Sequence, residues 1–576
     1  MRLGGVRPRR RRRAHHRPGP VRLAGGAGRR GRVHTRRGIA GRPVEGVRRG
    51  GGRLVTAHAS LRHPPSDLIG GEFLPLPGDA LRSHNPARPA QTVWQGSPEV
   101  AHVDRAVAAA RGALHEWSRW SMDRRAQALR AYQSICRERA GEIAALIRDE
   151  VGKAQWEADQ EAAALAGKVD ITLDESEVGA LRRVRGYELP LGETKRGVCR
   201  FRPHGVMAVI GPFNFPAHLP NGHIVPALAL GNTVVLKPSD KTPAVGQMLG
   251  ELFQDALASV GAPAGVVNVV QGAAEPAARL TTHEGVDGIL FTGSWPVGRR
   301  ILEANLDRPG RIVALEMGGN NPAVVMDDAD LRQAVVECAR AAFNTTGQRC
   351  TCTRRIIVHE RLADRFIDAL VKTARGLRIG APDDADPVFM GPIIRAEARA
   401  AALAFAADLA RGGGDVLLAP ESIDDVPGCA GGHFVSPGVV RVNRFTTRDA
   451  GPGADAGCDA EVFGPVVRVA VVGGYDEAVE QANATRYGLA ASIFTTSART
   501  AERFLADARA GCVNVNTGTA GASGKLPFGG LGLSGNHRPA GAFSVDYCAI
   551  PVASMIESSA AASVSAGMTF DDAWVD

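Results

Sequence analysis

The chain has 576 residues, 44% of them apolar and 22% charged, with 69 glycines; that length exceeds a single core and implies two or three domains. No window approaches eighteen uninterrupted apolar residues, which argues against a membrane-spanning helix. The formal charge of +9 divides unevenly: residues 1–53 carry eighteen arginines and one acid, Glu45, a net of +17, so the rest of the chain nets −8 and is mildly acidic.

In chain order, residues 1–60 read as a disordered extension, with a run of five arginines at Arg9 to Arg13 and too few apolar groups to bury a core. Such an arm could bind nucleic acid through phosphate contacts, act as a targeting peptide, or be translated leader. No apolar stretch follows any Arg pair and serine is absent before Ser60, so the expectation is an extension without a catalytic role. A strand and turn open the globular part at Asp67 to Phe73, and Asn85-Pro86 follows as a turn. Val103, Val107, Ala110, Leu114 and Trp117 recur at steps of four and three, which marks an amphipathic helix. Further helices are predicted over 124–149 and 157–175, all three packing against a sheet.

After a polar, partly alternating stretch at 194–202, strands and helices alternate. Apolar runs at 205–210, 233–236, 266–270, 286–291 and 311–315 are separated by helices near 221–230 and 245–260 and by a shorter one. That order predicts a parallel, doubly wound sheet with ligands at the carboxyl ends of its strands. Three motifs fall at such ends: Gly211-Pro212-Phe213-Asn214-Phe215-Pro216, Lys237-Pro238-Ser239-Asp240 and Phe291-Thr292-Gly293-Ser294. Gly293 to Gly298 is not G-x-G-x-x-G, so the ordinary dinucleotide fingerprint misses this stretch.

Glu316 and Cys350 lie thirty-four positions apart, in Leu315-Glu316-Met317-Gly318-Gly319-Asn320-Asn321-Pro322 and Gly347-Gln348-Arg349-Cys350-Thr351-Cys352. A thiolate is a strong nucleophile, and a carboxylate can take the thiol proton or activate water to clear a covalent intermediate. Nine cysteines, odd in number and scattered, suit a reducing, cytoplasmic compartment. Cys350 and Cys352 form a C-x-C with no second pair, so no metal site is expected. A second α/β unit follows, with a strand at 355–359, a helix at 361–375 and strands near Val416 and Val435. Glu461-Val462-Phe463-Gly464-Pro465-Val466 and Leu526-Pro527-Phe528-Gly529-Gly530 through Ser534-Gly535-Asn536-His537-Arg538-Pro539 come later, and Tyr547 to Val552 reads as a strand.

These motifs, in this order over roughly residues 67–558, resemble the aldehyde dehydrogenase superfamily. The resemblance implies an α/β fold of two doubly wound parallel-sheet domains plus a small oligomerisation β-element. The dinucleotide-binding domain is expected at 67–190 and 204–315, the catalytic domain at 316–540, the oligomerisation element at 191–203 and 541–557, and a tail from 558. It also implies Cys350 as nucleophile, Glu316 as base and Asn214 as oxyanion donor. NAD contacts are implied at Lys237, Ser239, Asp240, Gly293, Ser294, Gly298, Glu461 and Phe463. The Asp240 carboxylate would repel a 2′-phosphate, which favours NAD over NADP.

Three segments, 214–223, 347–355 and 534–539, are similar to a family branch that oxidises an anionic, succinylated semialdehyde, and Arg349 and His218 are candidates for its carboxylates. Asn514-Val515-Asn516-Thr517-Gly518-Thr519 departs from that branch's pattern near the substrate mouth, which leaves succinate or glutamate semialdehyde as alternatives. A homodimer or homotetramer is expected. An inactive scaffold with a nucleic-acid-binding arm is the competing class, disfavoured by the intact Asn214, Glu316 and Cys350 set and by the charge of the body.

Overall fold

The five apolar runs between residues 205 and 315 become five parallel strands, in the spatial order Ile312–Glu316, Gly288–Thr292, Val206–Ile210, Thr233–Lys237 and Val267–Val269. They read as largely apolar runs rather than alternating ones because both faces of a parallel sheet are covered. Antiparallel Ser66–Ile69 and Glu72–Pro75 complete the sheet. Register does the positioning: Ile210 stands beside Lys237 and Thr292 beside Glu316, so the strand ends make one rim. The computed structural model describes residues 58–446, 458–560 and 562–576; expectations for residues 1–57 lie outside these.

A second seven-stranded sheet runs Asp415–Leu418, Gly438–Arg441, Val466–Val472, Thr353–His359, Asn321–Val325, Ala490–Phe494 and Cys512–Val515, parallel except at its first pair. The strand expected near Val435 is a short piece, Phe434–Val435, paired with Ser422–Ile423 outside this sheet. Phe343, Phe366 and Phe494 fill the core on one side of it.

The helix predicted over 124–149 is two helices, Met122–Glu138 and Ala140–Val151. Apolar periodicity continues through the join, but Arg139 leaves helical geometry at φ −98° and ψ 14°. Its buried guanidinium donates to Glu142 at 2.8 Å and to the Ser60 carbonyl at 2.8 Å. Of the three helices expected on a sheet, Ala101–Trp117 lies against strands, whereas Gln155–Thr172 packs chiefly on Ala140–Val151 and Met122–Glu138, and these helices pack in turn on Pro243–Ser259 and His218–Ala229. Tyr132 stacks on Phe253 between two of these layers, ring centroids 3.9 Å apart.

Lys195–Pro203 pairs antiparallel with Ala549–Glu557 along its whole length and with Tyr187–Pro190 on its other edge. The C-terminal strand therefore completes a sheet within its own chain and leaves its outer edge unpaired among the described residues. Tyr187, Leu189, Ile550 and Met555 are exposed on this sheet. Among the described residues no helix is long and apolar enough to cross a membrane.

Candidate active site

Cys350 follows the helix Leu331–Phe343 by way of the turn Asn344–Gly347, in which Thr345 and Thr346 have φ of 52° and 55°. Left-handed backbone is sterically poor for β-branched residues and costs on the order of 1–3 kcal/mol at each. Side-chain bonds hold it: Thr345 Oγ1 donates to Glu157 Oε1 at 2.7 Å, and Thr346 Oγ1 donates to the Gly391 carbonyl at 2.8 Å. Gly347, at φ 72°, has no room for a side chain, since a Cβ there would lie 2.2 Å from the Gly464 oxygen. Asn214 reaches the same turn from the end of Val206–Ile210, and its Nδ2 donates to the Gln348 carbonyl at 2.9 Å. An amide nitrogen has two hydrogens, so one remains for an oxygen held near Cys350.

Glu316 ends the edge strand of the first sheet. The loop at 529–539 caps that edge: the Met317 N–H donates to the Ser534 carbonyl at 2.9 Å, and the Asn536 side chain accepts from Leu315 N–H at 2.7 Å and donates to the Val313 carbonyl at 3.0 Å. The carboxyl itself is buried, and among the described residues the Gly530 N–H bears on it without closing a hydrogen bond of ordinary geometry. Burial pushes it well above the ordinary carboxylate range, the Arg538 guanidinium opposes this and Glu461 adds to it. Burial also raises the Cys350 thiol, with Glu316 and Glu461 contributing. Burial thus disfavours the charged form of both groups, and the Glu316 carboxylate, when it is formed, is a stronger base than an ordinary one.

Cys350, Glu316 and Asn214 line one end of a cavity of about 770 Å³. Lys237, Ser239, Asp240, Gly293, Ser294, Glu461 and Phe463 line the same cavity. Burial lowers Lys237 to about 8, with Asp240 opposing. Burial would raise Asp240, but Lys241 and Lys237 outweigh it and hold the carboxyl below its usual value. Lys241 Nζ sits 3.3 Å from Asp240 Oδ1, a compensating cation that the sequence motif did not signal. Glu461 accepts from the Gly319 N–H at 2.9 Å and is raised to about 7 by burial, against the pull of Arg354. The cavity continues between Ala274–Thr282 and Trp295–Glu303, where Ala277, Ala278, Val297 and Ile301 form a flat apolar slot.

Residues 77–550 match the aldehyde dehydrogenase family. The chain belongs to that family. The dehydrogenase is 41% identical over 490 residues to N-succinylglutamate 5-semialdehyde dehydrogenase of Chromobacterium violaceum, covering 85% of this chain and 96% of the relative. It is 44% identical over 496 residues to N-succinylglutamate 5-semialdehyde dehydrogenase 2 of Caulobacter vibrioides, covering 84% and 95%. Among solved structures it resembles an aldehyde dehydrogenase from Brucella melitensis biovar abortus, with a TM-score of 0.77 and 29% identity over 86% of this chain and 98% of that one. It is an oxidoreductase acting on aldehydes and, like its family, depends on a nicotinamide cofactor.

Three sequence expectations change in the folded dehydrogenase. Gly298 does not line the cavity; a Cβ there would lie 2.3 Å from Met317 Sδ, so this glycine lets its helix close onto the Glu316 segment. Arg349 is no free cation: its Nη2 donates to Glu157 Oε1 at 2.6 Å and its Nε to Thr345 Oγ1 at 2.8 Å. Burial lowers His218 and so disfavours a charged ring there.

Proposed function

We propose that this dehydrogenase oxidises an anionic semialdehyde, N-succinylglutamate 5-semialdehyde, to the corresponding acid with NAD in the cytoplasm, as a homodimer or homotetramer. The observation that carries the substrate is the name shared by relatives 41% and 44% identical to it over most of the chain. The cleft suits a dinucleotide: a helix N-terminus at Ser294 for a pyrophosphate, Lys237 and Asp240 for ribose hydroxyls, and the apolar slot for a flat ring. Ionised Asp240 favours a free 2′-hydroxyl, hence NAD.

In this reading the Cys350 thiolate adds to the aldehyde carbon, and the Asn214 amide with the Cys350 backbone N–H donates to the oxygen as charge gathers there. One such donor contributes about 3–4 kcal/mol to the transition state. The nicotinamide, when bound, supplies the hydride acceptor. The thioester left on Cys350 is cleared by water, from which Glu316 takes the proton. Glu461 and Phe463 hold the reactive end of the cleft.

A second reading, oxidation of succinate or glutamate semialdehyde, is favoured by the divergent segment at 514–519. Thr519 Oγ1 donates to the Thr351 carbonyl at 2.7 Å, one residue beyond the nucleophile. NADH formation with the three semialdehydes separates the readings. A kcat/KM at least tenfold higher for the succinylated substrate, about 1.4 kcal/mol of discrimination, supports the first; preference for a shorter aldehyde establishes the second.

A further inference from the structure

The helix Gln155–Thr172 lies a layer away from both sheets, yet it sends two carboxylates, one turn apart, to the two loops that hold the reacting groups. Glu157 serves the nucleophile's loop: its Oε1 accepts from Thr345 Oγ1 at 2.7 Å and from Arg349 Nη2 at 2.6 Å. Glu161 serves the Asn214 loop: its Oε1 accepts from the backbone N–H groups of Ala217 and His218, each at 3.0 Å, and its Oε2 from Lys153 Nζ at 2.5 Å. Lys153 Nζ also sits 3.4 Å from the ring centroid of Phe215, the residue after Asn214, and Arg349 approaches that ring at 5.2 Å. Residues i and i+4 share a helix face, so the two grips are fixed relative to each other by one rigid turn.

Stability alone does not account for the Lys153–Glu161 pair. Both side chains are 0% exposed, and a buried ion pair is commonly matched or bettered by apolar residues of the same volume. What an apolar residue cannot do is accept two neighbouring backbone N–H groups. A turn that places two β-branched residues in left-handed geometry likewise needs an outside acceptor to hold it. We propose that Glu157 and Glu161 are positioning residues that set the separation between the Asn214 amide and Cys350, and so the quality of the oxyanion site. This rests on the assignment of Asn214 and Cys350 above.

The test uses full-length protein without cofactor and follows acylation of Cys350 by p-nitrophenyl acetate. The thiolate sulfur bonds to the acetyl carbon, the ester C–O bond breaks, and p-nitrophenolate leaves and is read by absorbance. Glu161→Leu with Lys153→Met removes both charges together and so leaves no buried lone ion, whereas Glu161→Gln with Lys153→Met keeps an acceptor in place. The expected result is at least a tenfold fall in acylation rate for the first and less than a threefold change for the second, while alkylation by iodoacetamide, which needs no oxyanion site, changes less than threefold in both. Asn214→Ala, expected to slow acylation of the parent on the order of a hundredfold, should slow the Glu161→Leu variant less than tenfold. Glu157→Ala should reduce the cost of Asn214→Ala in the same way. Equal rates for the two Glu161 variants, or an undiminished cost of Asn214→Ala in both backgrounds, overturns the proposal. Acylation that survives Cys350→Ala instead overturns the assignment of the nucleophile on which it rests.

Discussion

Glu316 is a buried carboxyl that closes no hydrogen bond of ordinary geometry among the described residues, so its replacement by an isosteric amide removes a proton acceptor and little else. Glu316→Gln should leave a burst of about one NADH per site and slow steady turnover on the order of a hundredfold or more, as stopped-flow absorbance will show. Equal loss of burst and turnover would move Glu316 to an earlier step. Glu461 offers a stability test. Its carboxyl titrates near 7 when folded against 4.5 for an ordinary glutamate. Below pH 4.5 both states are protonated and burial costs nothing; the penalty grows as pH rises and is complete above about 7. Glu461→Gln should therefore raise the melting temperature at pH 8 and hardly change it at pH 4.5. The gain at pH 8 should be on the order of 2 kcal/mol, less than the full shift because the side chain is half-buried.

At the scale of elements, the turn after Thr233–Lys237 carries opposed charges at Asp240 and Lys241. Asp240→Ala should raise kcat/KM with NADP relative to NAD, and Lys241→Ala should lower it, each about tenfold. The loop capping the base's strand holds His537 at φ 56° with the side chain exposed. His537→Gly should stabilise the fold by about 0.5–1 kcal/mol in denaturant unfolding. The sequence announced elements well where both sheet faces are covered, because parallel strands then become apolar runs bounded by turns. It concealed the break at Arg139, because an arginine drawn inward by Glu142 and Ser60 leaves the apolar period of its helix intact. At the site, Cys350 and Glu316 were legible from glycine-flanked motifs and Asn214 through the family resemblance, and all three line one cavity. The pairing of Arg349 with Glu157 was not, because ion-pair partners separated by 192 positions have no local signature. Gly298 misled for the opposite reason, since glycines that admit a ligand and glycines that admit a neighbouring side chain look alike.

For the whole molecule, the three-stranded sheet presents an outer strand, Ala549–Glu557, unpaired on one edge among the described residues, with Met555 77% exposed. An edge of this kind invites pairing with a second chain. Met555→Asp should shift the assembly toward smaller species in light scattering while sparing the melting temperature of the subunit; an unchanged mass would place the interface elsewhere. The strand that ends in Glu316 bears on the order of events during synthesis. Leu315 receives its edge partner from Asn536, 221 positions later in the chain, whereas Thr345 and Arg349 find Glu157, which has already left the ribosome. The nucleophile's turn thus has its anchor early, and the base is framed only when the last tenth of the chain arrives. In the proposed mechanism the water-activating carboxyl is the last of the reacting groups to gain its surroundings as the chain is made.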